Sequence, residues 1–359
     1  MPSPPSRPNG KENTLNSVQP LTVSAPTLSS INPNQGPVSG GTSVTLTGTQ
    51  LTTATTVMFG SAAATSFTVV SDTSIVAVSP AGSGTVQVTV TTSGGTSNGL
   101  SYTYRLAPAL TSVAPSQGPA SGGTSVVLTG SHFTGATSVK FGTVAASSFF
   151  VASDTQITAT APAETAVPAN VTVTAVGGTS VSNVYFYYIP APTLTSVAPS
   201  QGPASGGTSV VLTGSHFTGA TSVKFGTVAA SSFSVTSDTQ ITATAPAEAA
   251  GSVNVTVTTA GGISNTFTYF YLPAPTLTTV LPGQGPSSGG TSVTLSGTQL
   301  TTATAVMFGS TPSTSYTVLS DSSIVAVAPA GTGTVQVTVT TGGGTSNGLA
   351  YTFVSAPHI

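Results

Sequence analysis

The chain has 359 residues, 3% of them charged and 38% hydrophobic, with 40 Gly, 26 Pro, no Cys and a formal net charge of −2. Five Lys and Arg cannot form the basic stripe that neutralises phosphates, which argues against nucleic acid as a partner and against an electrostatic hold on a membrane surface. Without cysteine there is no disulfide, thiolate chemistry or Cys-type zinc site, and no apolar run approaches the roughly 20 residues that span a bilayer.

Residues 1–24 stand apart, with four prolines before Asn9, the charged Arg7, Lys11 and Glu12, and then apolar Leu15, Val18, Leu21 and Val23. The segment lacks the apolar core of a secretory signal, and the Ser355 to Ile359 end shows no anchoring signal. It reads either as a flexible leader or as an arm whose candidate assembly strand, marked by Leu21 and Val23, adds to a neighbouring sheet edge.

A phrase then begins at 32–43, NPNQGPVSGGTS, and returns near Pro115, Pro199 and Pro282. The prolines Pro26, Pro108, Pro192 and Pro275 that precede it lie 82, 84 and 83 residues apart. Solenoid units run roughly 20–50 residues and cannot bury a core alone, whereas roughly 80 can. The sequence therefore divides into four domains, 25–106, 107–190, 191–273 and 274–359.

Inside the first unit Thr27 to Ile31 leads, and Val44 and Leu46 alternate with Thr45 and Thr47 at strand period two. Val57 and Phe59 flank Met58, and further runs follow at Phe67–Val69, Ile75–Ala77, Val86–Val90 and Leu100–Tyr104. That is about seven short strands, the number an immunoglobulin-like sandwich needs. Gly36-Pro37, Gly40-Gly41, Gly94-Gly95 and Asn98-Gly99 are predicted as chain reversals. Val86, Val88 and Val90 align with Ala169, Val171 and Val173, with Val253, Val255 and Val257, and with Val335, Val337 and Val339, so the inward face stays apolar. The predicted fold class is all-β: four tandem immunoglobulin-like β-sandwich domains in an extended rod. The junctions Leu106-Ala107-Pro108, Ile189-Pro190-Ala191-Pro192 and Leu272-Pro273-Ala274-Pro275 are short and proline-rich. A rod of such domains reaches on the order of 150 Å.

These residues resemble the IPT/TIG family of immunoglobulin-like domains, in a bacterial surface or structural arrangement. In the third unit the family pattern falls on Leu194 to Pro199, Gly202 to Gly207, Val210 to Phe217, Val223 to Gly226, Ser237 to Ile241 and Phe267 to Tyr271. The outer units carry Leu51 and Leu300 where the family has phenylalanine. The resemblance implies the fold. It does not select a function, since similar domains occur in receptor ectodomains, transcription factors, polysaccharide-acting enzymes and surface proteins. The basic loops of the transcription factors and the separate catalytic domain of the enzymes are absent here.

Few side chains carry site chemistry. Asp72, Asp154, Asp238 and Asp321 recur after a serine and read as turn or capping residues rather than a calcium cage of six to eight oxygens. Glu164 and Glu248 have no acid partner, and His132, His216 and His358 have no Asp or Cys at ligand or triad spacing. Lys140 and Lys224 point outward, against an internal isopeptide link. Asn170 and Asn254 head glycosylation triplets but lie within a strand. On the last strand Tyr185, Tyr187 and Phe270 face outward, as a packed domain junction or as a candidate interaction surface.

The sequence thus points to a non-enzymatic structural or adhesive protein with no cofactor, metal or catalytic residue. It would be a repeat rod for surface display, spacing or self-assembly into fibres, at the cell surface or extracellular. Its partners would be proteins, through self-assembly or at a cell surface, or glycan. A carbohydrate-binding array and a virion- or particle-associated fibre component are the alternatives. The middle units share Val126–Phe149 with Val210–Phe233, and the outer ones share 52–60 with 301–309 nearly residue for residue, an A-B-B-A order. The His, Lys, Glu and outward aromatic residues concentrate in the B units, so specific contacts are expected within 107–273.

Overall fold

The computed structural model describes residues 1–5, 23–181 and 183–355, and among them there are strands and turns but no helix. The first repeat contains β1 (Thr27–Asn32), β2 (Gln35–Pro37), β3 (Ser43–Thr49), β4 (Thr56–Phe59), β5 (Ala62–Ala63), β6 (Ser66–Ser71), β7 (Ser74–Val78), β8 (Thr85–Thr92), β9 (Gly95–Thr96) and β10 (Leu100–Arg105). Seven of these are the strands read from the sequence, while β2, β5 and β9 are short additions. One sheet runs β1-β3-β7-β6 and the other β2-β10-β8-β4-β5, with β9 beside β8. The same two orders recur over 109–189, 193–272 and 276–354.

The period-two pattern explains the layers. Val44, Leu46, Ile75 and Ala77 of the first sheet and Val57, Phe59, Val88, Val90 and Tyr102 of the second are buried to 2% exposure or less and meet between the sheets. Within that core Phe59 stands edge-on to Tyr102 at 5.1 Å, a pair repeated by Phe141–Phe186, Phe225–Tyr269 and Phe308–Tyr351. Such T-shaped packing suits the ring quadrupoles.

Two predicted reversals are not reversals: one is a strand and the other lies in the irregular link between β9 and β10. Gly36-Pro37 lies in β2, which pairs in parallel with β10. A Cβ on Gly36 would collide with the Tyr102 hydroxyl and Thr42, so glycine here lets β2 close over the core. Asn98 is not a turn residue, and Gly99 does not take positive φ. At the bulge of β1 between Leu28 and Ser30 the backbone of Leu28 turns to the Asn98 side chain. The Leu28 N–H donates to Asn98 Oδ1 at 2.9 Å and Asn98 Nδ2 donates to the Leu28 carbonyl at 3.0 Å. Asn265 with Leu194 and Asn347 with Leu277 repeat this clamp. Gly40, Gly41 and Gly95 do adopt positive φ, at 74°, 83° and 124°.

Candidate functional site: the seam between repeats

The recurring aspartate is a clamp across loops, with the local turn left to its neighbour. Ser71 Oγ accepts the Thr73 N–H at 3.2 Å, an ordinary serine turn. The Asp72 carboxylate reaches back some twenty residues, accepting the Gln50 N–H at 3.3 Å and the Thr52 hydroxyl at 2.8 Å. Asp154 and Asp238 accept the N–H of His132 and His216 at 3.2 Å and the hydroxyls of Thr134 and Thr218 at 2.7 Å. Asp321 holds Gln299 and Thr301 in the same way. The residue clamped is left-handed each time: Gln50, His132, His216 and Gln299 have φ between 58° and 60°. That conformation is unfavourable for a residue with a Cβ, and the charge-assisted bond offsets it. The bound threonine hydroxyl, first among the causes, holds each of these carboxyls below the usual carboxylate range.

In the second, third and fourth repeats these loops face the preceding repeat. The linker crosses the tip of the hairpin that follows β8 or its equivalent, where the first glycine of the pair leaves it room. A Cβ on Gly177, Gly261 or Gly343 would run into the carbonyl of Leu106, Pro190 or Pro273. Gly94 stands likewise against the Ser24 carbonyl. Positive φ belongs to the second glycine, while the first is required by the close approach of another backbone.

A cleft opens at each seam. Gln35, Arg105 and Leu106 of the first repeat face His132, Thr134, Asp154 and Gly177 of the second across about 240 Å³. Gln117, Ile189 and Pro190 face His216, Thr218 and Asp238 across about 310 Å³. Gln201, Leu272 and Pro273 face Gln299, Thr301 and Asp321 across about 180 Å³. Only the first of the three clefts holds an arginine, whose Nε donates to Gln35 Oε1 at 3.1 Å. Sequence reasoning missed this site because the glutamine and the aspartate lie in different repeats. The available signal was the glutamine of Gln-Gly-Pro at 35, 117, 201 and 284, more regular than a turn requires.

Tyr185, Tyr187 and Phe270 do not enter these clefts. They lie on the outer face of the larger sheet at 40%, 50% and 49% exposure, beside Asn170, Pro168 and Ser252 respectively. Tyr187 and Phe270 are the register partners of Gln117 and Gln201, the glutamines that line the second and third clefts, so these two rings stand on the sheet face next to the seams. Lys140 and Lys224 are exposed on the same sheets. Asn170 is half-buried and Asn254 exposed, both within strands. Val23 is exposed beside Gly94, while Leu21 and His358 lie outside the described residues. Glu164 and Glu248 sit near buried Tyr188 and Tyr271, whose hydroxyls are pushed up to about 12, by burial first. Among the described residues no three His, Cys, Asp or Glu side chains gather to hold a metal ion, and no helix is long and apolar enough to cross a membrane.

The IPT/TIG domain model matches residues 26–104, 108–188, 192–271 and 275–353. Among solved structures, the full extracellular region of plexin A4 aligns at 22% identity over 97% of this chain and 32% of its own, with a TM-score of 0.36. Invasin, a bacterial integrin-binding protein, aligns at 18% over 91% of this chain and 79% of its own, with a TM-score of 0.30. SGBP-B from a complex xyloglucan utilization locus in Bacteroides uniformis aligns at 18% over 65% and 66%, with a TM-score of 0.25. The chain spans 32% and 48% of the two plexin chains it matches.

Proposed function

Because the chain belongs to the IPT/TIG family, in four tandem copies, we propose that it is a non-enzymatic structural or adhesive protein, a stiff repeat rod that spaces or displays a contact at a cell surface or other extracellular site. Its working units are 25–106, 107–190, 191–273 and 274–359. One observation carries this reading: the same seam of linker over glycine, clamped loop and facing glutamine recurs at each junction. A chain whose task was chemistry would concentrate unusual residues at one place, whereas this one repeats its most constrained contacts between domains. Self-assembly into fibres, including a fibre carried on a virion or other particle, is the form of this function that repetition favours. The test is to incubate the purified chain with cells and with insoluble polymers and to image it by electron microscopy. Extended particles retained on a surface support the reading. Compact, unretained particles contradict it.

A second reading, glycan binding, is favoured by Tyr185 and Tyr187, two exposed rings two positions apart on one strand. Exposed aromatics on an open sheet suit the apolar face of a sugar. Binding to a glycan panel that is lost with Tyr185→Ala and Tyr187→Ala together would establish it, and binding that survives both substitutions would remove it.

A further inference from the structure

The outer face of the larger sheet differs between repeats in a way that the fold does not require. In the first repeat its polar residues satisfy one another: Thr85 and Thr103 share a hydrogen bond at 3.0 Å across the strands, and Gln87 Nε2 donates to Ser101 Oγ at 3.1 Å. In the fourth repeat Thr334 and Thr352 repeat the first of these bonds at 3.0 Å. At the same places of the ladder the second repeat sets Pro168 opposite Tyr187 and Asn170 opposite Tyr185. A proline has no hydroxyl to share. Both rings are exposed, and Asn170 Oδ1 is shut away from solvent with no hydrogen-bond partner.

The same face carries a cation. Lys140, on the strand Ser138–Phe141, is exposed and stands opposite Thr172 and Ala145, so no carboxylate lies beside it in the ladder. Thr172 lies two positions beyond Asn170 on the strand Pro168–Ala175, which puts Lys140 two strands across from Tyr185 and one step further along. With strands about 4.8 Å apart and a rise of about 3.4 Å per residue, the two Cα atoms are roughly 12 Å apart. The two acids of this repeat are placed elsewhere: Asp154 holds the His132 loop, and Glu164 sits by Tyr188. Of the five Lys and Arg in the chain, Lys140 and Lys224 take this one position, where the first and fourth repeats carry Met58 and Met307.

We propose that the outer face of the second repeat binds an anionic glycan, with sugar rings on Tyr185 and Tyr187 and an acid group on Lys140. The proposal rests on the glycan reading above and adds the sign of the ligand's charge. Each part of the face answers one part of such a ligand. The C–H side of a sugar ring lies against an aromatic face. A sugar hydroxyl supplies the donor that Asn170 Oδ1 lacks, once the Tyr185 ring opposite it tilts. A carboxylate or sulfate meets an ammonium that has no acid beside it in the ladder. An apolar protein surface would answer the rings and leave the amide and the charge unmet. The third repeat keeps Lys224, Asn254 and Phe270 but has Thr268 at the place of Tyr185, so it offers half of the platform.

The test is affinity electrophoresis of the full chain in gels holding polymers of known charge. Polygalacturonate and its fully methyl-esterified form differ only in the charge on one backbone. Dextran sulfate and dextran make the same comparison for sulfate, so the two pairs tell which acid group is taken. Retardation by a charged polymer and not by its neutral counterpart, diminished by salt, is expected. The variants borrow residues that the first repeat carries at these places, Met58, Ser101 and Thr103. Lys140→Met should weaken binding roughly two- to five-fold, Tyr185→Ser with Tyr187→Thr by about tenfold or more, and Lys140→Arg and Lys224→Met should leave it unchanged. Equal retardation by charged and neutral polymers, or undiminished binding by Lys140→Met, overturns the anionic ligand and leaves the glycan reading standing. A loss from Lys224→Met as large as that from Lys140→Met overturns the placement on the second repeat. Retardation by none of the four polymers overturns the inference, while the wider glycan panel decides the glycan reading separately.

Discussion

Tyr102 Oη reaches Ser79 Oγ at 3.4 Å in the buried core of the first repeat. In the third and fourth repeats the serine position is Ala245 and Ala328, and the hydroxyls of Tyr269 and Tyr351 are buried with no hydrogen-bond partner. The second repeat meets the same problem with Phe186 and Ala161, removing both polar groups. A buried hydroxyl without a partner costs about 1–3 kcal/mol, whereas a satisfied pair or an apolar pair does not. Ala245→Ser and Tyr269→Phe are therefore each expected to stabilise the third repeat by about 1 kcal/mol. Native-state hydrogen exchange on that repeat's strands is the measure. Faster exchange in both variants would contradict the account. The clamping aspartates give a pH prediction. Their carboxyls lie below the usual range, so the stability they contribute is present above about pH 4 and is lost as pH falls through the lower folded-state values. Asp154→Asn should flatten the acid dependence of exchange in the second repeat's His132 loop, and an unchanged acid limb would show that the clamp does not act there.

At the scale of elements, the strands were legible because one face of each is buried and the other wet, which writes period two into Val44–Leu46 and Val86–Val90. The connections were less so. Gly36-Pro37 carries turn residues but forms a strand, because its glycine is needed against the Tyr102 hydroxyl rather than for positive φ. Asn98 looks like half of a hairpin turn, yet it serves a bulge seventy residues earlier. Asp72 looks like a local cap and spans two loops. In each case the residue type was informative and the partner was not, since the partner lies far away in sequence. The seam was hidden for the same reason, its halves being split between repeats. The hairpin glycine tests it: Gly261→Val places a branched side chain where the Pro190 carbonyl lies. The linker should lift from the hairpin, and exchange at the hairpin amides around Gly261 and Gly262 should rise while the core strands 222–225 and 240–244 keep their protection. Equal loss of protection in core and hairpin would show that the glycine serves the fold and not the seam.

For the whole molecule, the A-B-B-A order takes on a structural sense. The seams use one set of backbone contacts, while the side chains that line them change with the repeat type: His132 and His216 where a B repeat follows, Gln299 where the fourth, A-type repeat follows. The exposed rings Tyr185, Tyr187 and Phe270 fall on B repeats, which keeps 107–273 as the region where a specific partner is sought. The central claim is that the seams hold successive repeats in one orientation, which a spacer requires and a string of loosely tethered beads lacks. Spin labels on Lys140→Cys and Lys224→Cys, exposed at equivalent places in the two middle repeats, read that orientation directly by double electron–electron resonance. A single narrow distance distribution, broadened by Gly261→Val, is the predicted result. A broad distribution in the otherwise unaltered chain, of the width a flexible linker gives, would contradict it.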